Sequence, residues 1–161
     1  MRVEIISTGT ELLLGEIVNT SAVYLSERLN EMGYSVLYQT TVGANEERMK
    51  EVYQIALDRS DIVITTGGLG PTEGDITKHV MAEMLGKELV LDEYSLGRIE
   101  ENFRRRNSHM TNNNRRQAMM PVGADVLENQ HGTAPGVWLD TTDGKIVVQL
   151  PGPPFEMKKM F

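Results

Sequence analysis

Three short β-branched runs alternate with stretches of helical period over the first half of the chain. That order constrains the fold more than any other feature. Val3 to Ser7 is the first run, ending at Thr8-Gly9. Asn19 to Met32 follows with apolar residues Ala22, Leu25, Leu29 and Met32 at steps of three and four, the period of a helix face. Asn19 or Thr20 can cap it and Gly33 can end it. Ser35 to Val42 is the second strand. A second helix is expected from about Asn45, with Glu46 and Glu47 favourable in its first turn and Met49, Val52, Tyr53 and Ala56 on one face. Asp61 to Thr66 is the third strand, apolar through its centre as a buried parallel strand is. After a glycine-rich turn, a third helix is expected from Ile76 to Leu85, stopped by Gly86. Strand–helix units at this spacing predict right-handed crossovers and a parallel sheet covered on both faces.

The second half is less regular. Tyr94 to Arg106 reads as a helix, Asn107 to Asn114 as a polar loop, and Arg115 to Met119 as a short helix before Pro121. Val137 to Leu139 and Ile146 to Val148 flank Asp140-Thr141-Thr142-Asp143-Gly144, which predicts a β-hairpin. Pro151 to Pro154 is a stiff loop, and Phe155 to Phe161 starts a helix. That open end predicts the front part of a longer protein.

Composition narrows the chemistry. With 161 residues there is room for one domain, and 40% hydrophobic residues can give it a core. The 23 acidic residues outnumber the 16 basic ones, for a net charge of -7, which argues against a general nucleic-acid surface. Having no cysteine excludes disulfides, thiolate metal sites and cysteine nucleophiles together. No apolar run approaches the roughly 20 residues of a membrane helix, and Met1-Arg2-Val3-Glu4 carries no signal-peptide pattern. The expectation is a cytoplasmic α/β domain with no membrane partner.

The strongest local signal is Gly67-Gly68-Leu69-Gly70-Pro71-Thr72-Glu73-Gly74-Asp75, directly after the third strand. Ligands of open parallel sheets sit beyond the carboxyl ends of the strands. A glycine-rich turn there lets backbone N–H groups approach a phosphate, with the dipole of the next helix behind it. Asp75 is read either as the cap of that helix or as a ligand to a divalent metal bridging phosphate oxygens. The turn is not a Walker A loop, because Asp75-Ile76 stands where Lys-Ser/Thr is required. It is also not the dinucleotide fingerprint, which follows a first strand rather than a third. The turn after the first strand emerges at the same edge. There Thr8, Thr10 and Asn19 are read either as ligand hydrogen-bonders or as loop and cap residues.

Arg104 to Arg106 and Arg115-Arg116 read as a solvated helix end. Alternatively, one of them, with Gln117, folds over the pocket toward a diphosphate. His79, His109 and His131 share no metal-ligand spacing; His79 is expected to be exposed, and His131 can lie near the pocket. Glu11 and Glu156 are read as pocket-edge acids or as structural residues.

Four segments together resemble one family. They are Ser7-Thr8-Gly9-Thr10-Glu11-Leu12-Leu13 with Gly15, Ile17, Asn19 and Thr20; Thr66 to Thr72 with Asp75 and Thr77; Gly132-Thr133-Ala134-Pro135-Gly136; and Leu150-Pro151-Gly152 with Pro154, Glu156 and Met157. In this order, over nearly the whole chain, they resemble the N-terminal domain of CinA-type competence/damage-inducible proteins. That domain is similar to molybdopterin-binding domains of the MogA, MoaB and MoeA type.

The resemblance implies a three-layer α/β/α fold with a mostly parallel sheet over residues 1–161. It implies a small nucleotide or pterin ligand carrying phosphate or pyrophosphate, and a divalent cation such as Mg²⁺. Gly67, Gly68, Leu69, Gly70, Pro71 and Thr72 would bind phosphate, and Asp75 would hold the metal and act in catalysis. Thr8, Gly9, Thr10, Glu11 and Asn19 would hold the ligand from the facing loop, with Gly132, Thr133, Pro151, Gly152 and Glu156 completing the site. In the CinA branch the implied activity is ADP-ribose pyrophosphatase. In the cofactor branch it is molybdopterin binding or adenylyl transfer. A non-catalytic ligand-binding or oligomerising domain is the third reading, and a homo-oligomer, dimer or trimer, is expected. One position departs from the family pattern. Where two adjacent Asp are usual, this chain has Gly74-Asp75.

Overall fold

The alternation of the first half folds as its period requires, in a computed structural model that describes residues 1–161. Strand β1 (Arg2–Thr8) leads through a one-turn helix α1 (Thr10–Leu13) into helix α2 (Thr20–Glu31). Strand β2 (Ser35–Val42), helix α3 (Glu46–Arg59), strand β3 (Ile62–Thr66) and helix α4 (Thr77–Met84) follow. Asn19 and Asn45 cap α2 and α3, their side-chain oxygens accepting from Ala22 and Arg48 backbone N–H groups. The helix at α1 is a correction, since that segment reads as loop.

The second half holds more strands than its sequence announces. It contains β4 (Leu89–Leu91), α5 (Glu93–Arg105), α6 (Asn112–Arg115), a 3₁₀ turn (Arg116–Ala118) and β5 (Met119–Pro121). Then come β6 (Asp125–Leu127), β7 (Gly136–Asp140), β8 (Ile146–Leu150) and α7 (Pro154–Met160). Three-residue strands such as β4, β5 and β6 are too short to show a period, so alternation in sequence could not reveal them. The expected helix over Arg115 to Met119 is instead split. Asn112 to Arg115 form its α-helical turn, and Met119 already belongs to β5.

Six strands form one mixed sheet in the order β2-β1-β3-β8-β7-β6, and β4 and β5 pair antiparallel apart from it. The β1–β2, β1–β3 and β3–β8 pairs are parallel; β8–β7 and β7–β6 are antiparallel. The expected hairpin is therefore real, and its second strand is also the fourth parallel strand of the sheet. Odd and even residues of β1 serve opposite faces. Val3 and Ile5 pack with Ala22, Leu25, Leu29 and Met157 under α2 and α7. Ile6 packs with Met49, Tyr53, Val80 and Met81 under α3 and α4. Each fully buried Leu, Ile, Val or Met contributes about 1.5–3 kcal/mol relative to an exposed one. No helix is long and apolar enough to cross a membrane.

The order β2-β1-β3 places the next connection on alternate sides of β1. The chain leaves β1 toward one neighbour and later returns to pair on the other, so the loops after β1 and β3 part at their carboxyl ends. A crevice opens at such a switch point.

Candidate functional site

The crevice at that switch point has a volume of about 640 Å³ and is walled by the loops after β1, β3 and β8. Its floor is made of strand ends, including Ser7, Thr8 and Thr66. Thr66 Oγ1 donates to the Pro151 carbonyl at 3.0 Å, and the Gly67 N–H donates to the Leu150 carbonyl at 3.0 Å, so the β3 and β8 loops are sewn together.

The glycine-rich wall is fixed by what its glycines leave room for. Gly67 and Gly68 have φ of 101° and 72°, a region costly for any residue with a Cβ. A Cβ on Gly67 would overlap the Thr8 carbonyl oxygen, and one on Gly68 would overlap Thr77 Oγ1. Thr77 Oγ1 in turn donates to the Gly67 carbonyl at 2.9 Å, and the Thr77 N–H to the Gly68 carbonyl at 3.2 Å. A Cβ on Gly70 would come 2.7 Å from Asp75 Oδ2, so glycine there admits the carboxylate.

Asp75 does not cap α4. The cap position is Ile76, which offers no side-chain hydrogen bond. The Asp75 carboxylate turns back instead, and Oδ2 accepts from the Thr72 N–H at 2.9 Å and from Thr72 Oγ1 at 2.6 Å. One oxygen thereby closes the turn, and Oδ1 has no partner within the chain. This removes the capping reading and leaves an oriented carboxylate with a free oxygen at the crevice.

The facing wall is partly the cap chemistry that the sequence also allowed. Asn19 spends its side-chain oxygen on capping α2, and its Nδ2 donates to Ser7 Oγ at 2.8 Å. Thr10 Oγ1 accepts from the Ala44 N–H at 3.5 Å. A Cβ on Gly9 would meet the far end of the Glu11 side chain, whose carboxylate lies over it. From the C-terminal side, Asn129 Nδ2 donates to Glu156 Oε2 at 2.8 Å and to the Ala134 carbonyl at 3.0 Å.

Thr8, Gly9, Thr10, Glu11, Asn19, Gly67 to Thr72, Asp75, Thr133, Pro151, Gly152 and Glu156 all line the crevice. Leu69 is buried. Gly132 lies apart. It packs beneath the Glu156 carboxylate and lines a second groove of about 940 Å³ along α5, which meets the crevice at Thr133. His131 faces Phe155 edge-on at 5.1 Å and is not in the wall. Of the arginines, Arg116 reaches the turn. Its Nη1 donates to the Thr72 carbonyl at 3.1 Å, and Nη2 lies 3.5 Å from the Asp75 carbonyl. Its neighbour Gln117 lines the crevice and donates to Thr133 Oγ1 at 3.0 Å. Ser7 and Ala134, both within the segments quoted above, also line it, as does Ala44, which sequence reasoning did not single out but which follows a strand ending at the same edge.

Charge gives the crevice its character. Its charged lining residues are Glu11, Asp75 and Glu156, three carboxylates with no lysine or arginine among them. A second acidic group, Glu46, Glu83 and His79, gathers on α3 and α4 despite the lack of a sequence pattern, and is exposed. There the Lys50 ammonium bridges Glu46 at 2.7 Å and Glu83 at 3.0 Å, so that group is already partly neutralised.

Residues 4–161 match the family model described as "Probable molybdopterin binding domain". A competence-damage inducible protein of Caldicellulosiruptor saccharolyticus is 55% identical over 161 residues, the whole of this chain and 39% of that relative. The chain thus spans well under half the length of that protein. The crystal structure of CinA from Thermoplasma acidophilum superposes with a TM-score of 0.91 at 33% identity, covering 99% of this chain and 92% of that one. MoaB from Thermus thermophilus, a molybdopterin biosynthesis enzyme, superposes with a TM-score of 0.64 at 20% identity over 99% of this chain and 86% of its own. At that identity the likeness is one of fold.

Proposed function

The chain belongs to the CinA-type family of molybdopterin-binding domains, and from that premise we propose that its crevice is a metal-dependent nucleotide site that cleaves the pyrophosphate of ADP-ribose or a similar dinucleotide-type ligand. The observation that carries this reading is the charge of the lining: three carboxylates and no cation around a glycine-rich turn. A phosphate brought there alone meets like charge. A divalent cation between carboxylate and phosphate oxygens reverses the sign of that interaction. Asp75, with Oδ2 locked by Thr72 and Oδ1 free, is the residue oriented to hold it. When bound, such an ion supplies charge neutralisation at the phosphoanhydride and a more acidic water.

The chain's own residues do the rest. The turn from Gly67 to Thr72 holds the phosphates against backbone, and its rigidity fixes the scissile bond relative to Asp75. The reaction consumes one water and breaks one P–O–P linkage, giving AMP and ribose 5-phosphate. The family description favours one alternative at the same crevice, a pterin ligand. A self-assembled dimer or trimer is part of the proposed working form.

The test is AMP release from ADP-ribose with Mg²⁺ or Co²⁺, followed by chromatography, for the wild type, Asp75→Asn and Gly74→Asp. The expected result is release by the wild type and none by Asp75→Asn. Gly74→Asp should fit without strain. A Cβ there would lie 3.7 Å from Ala44 Cβ and 3.9 Å from Thr72 Oγ1, at ordinary contact, and should raise the rate by adding a second carboxylate. A silent wild type beside an active Gly74→Asp variant would reduce this chain to a binding domain. Saturable binding of molybdopterin without nucleotide binding would replace the nucleotide reading by the pterin one.

A further inference from the structure

A buried cation stands behind the glycine-rich wall, outside the site as described so far. Lys78 lies on the inward face of α4, three residues beyond Asp75, and is 7% exposed. Its Nζ donates to the Gln117 carbonyl at 2.8 Å and to the Arg116 carbonyl at 3.3 Å. No carboxylate pairs with it. The charged group that faces it is the Arg116 guanidinium, also a cation, and both the loss of water and that neighbour pull its pKa down to about 7. The other ionisable groups of α4, His79 and Glu83, are exposed and engaged toward Glu46 and Lys50 of α3. A lysine in such surroundings is costly, so the hydrogen bonds it makes define what it does there.

The two carbonyls it holds belong to the 3₁₀ turn whose side chains reach both walls of the crevice. Arg116 grips the Thr72 and Asp75 carbonyls of the glycine-rich turn. Gln117, 2% exposed, holds Thr133 on the other side, and its Oε1 has no partner. The geometry points to Lys78 as a positioning residue. Its Nζ anchors the Arg116–Gln117 backbone, and through that anchor sets the turn that orients Asp75 and the Thr133 edge together. The order of the train is Lys78, then the 3₁₀ turn, then one side chain to each wall. The anchoring of the empty turn stands on these contacts alone; its consequence for a nucleotide rests on the function proposed above.

Both parts are tested on the whole chain with Lys78→Met, Arg116→Ala and the double variant. Hydrogen exchange is read by peptide, and ADP-ribose affinity with Mg²⁺ by calorimetry. In Lys78→Met, amides of residues 70–75 and 131–134 should exchange about tenfold faster, the effect of losing the anchoring Nζ hydrogen bonds on local opening. Arg116→Ala should speed only 70–75, and the double variant should add nothing there beyond Lys78→Met. Both single variants should weaken ADP-ribose binding. A folded Lys78→Met with unchanged exchange in these two segments, or effects that multiply in the double variant, would overturn the assignment. Should Lys78→Met fail to fold, Lys78→Gln keeps one donor and is expected to show an intermediate rate in the same two segments; wild-type rates there would overturn it equally. No ADP-ribose binding by the wild type would dispose of the nucleotide reading and leave the exchange result to decide the anchor.

Discussion

The two walls of the crevice are built on opposite plans. The glycine-rich wall is held from every side: by β8 through Gly67, by α4 through Thr77, by Asp75 folding back on Thr72, and by Arg116 from the 3₁₀ turn. The facing wall, α1 and the loop to Val18, contributes no residue to the core from its helix, and it leaves Leu14 67% and Val18 81% exposed. Its ties to the body are few, the 3.5 Å bond at Thr10 among them. Position is therefore imposed on a ligand from one side, and the other side can adapt to its shape. On the function proposed above, a braced cradle for phosphate opposite a cover with few ties is the division expected where one part of a ligand reacts and the remainder is only held.

The comparison breaks most visibly at Gly68. Gly68→Ala forces a Cβ into the left-handed region and into Thr77 Oγ1, which must then abandon the Gly67 carbonyl. The backbone term is about 1–2 kcal/mol and the lost buried hydrogen bond about 1–3 kcal/mol. Thermal denaturation should report a loss of about 2–5 kcal/mol, and ligand affinity should fall with it. If Gly68→Ala melts like the wild type, the wall is not the braced element described.

How much of this was legible in the sequence follows from which forces act over short range. The β1–α2–β2–α3–β3 unit could be read almost to the residue, because each element is long enough to show its period and carries its own cap, as at Asn19 and Asn45. The glycine-rich turn was legible as a turn, since only glycine tolerates such backbone. Its bracing was not. Arg116 and Lys78 act across 44 and 39 residues of chain, and nothing local distinguishes Arg116 from the arginines at 104 to 106. Lys78 had one available signal, a lysine between Thr77 and Val80 on the face that α4 buries. Asp75 was misread as a possible cap for the same reason. Its partner is Thr72, three residues back, where capping rules look forward.

Lys78 also gives the braced wall a pH signature. In the unfolded chain its amine binds a proton up to about 10.5, and in the fold only up to about 7. Between those values unfolding takes up a proton, so this group makes the fold more stable as pH rises from 7 toward 10.5 and least stable below 7. Lys78→Met removes that dependence. The difference in melting temperature between variant and wild type should shift steadily against the variant as pH is raised through that window. A difference independent of pH would mean that the ammonium is solvated in the fold.

The smallest effect belongs to the cover. Leu14→Ser removes an apolar side chain that the fold leaves in water, so little transfer free energy is lost, and surface changes of this kind stay within about 0.5 kcal/mol. Melting should be unchanged, and so should hydrogen exchange across residues 67–75, because no bond of the glycine-rich wall passes through α1. If that segment nevertheless exchanges faster in Leu14→Ser, the two walls are coupled and the cover is part of the cradle. If stability holds while ligand affinity drops, Leu14 closes over bound ligand and the adaptable wall earns its role on binding. Either outcome is read against Gly68→Ala, where stability and affinity are expected to fall together.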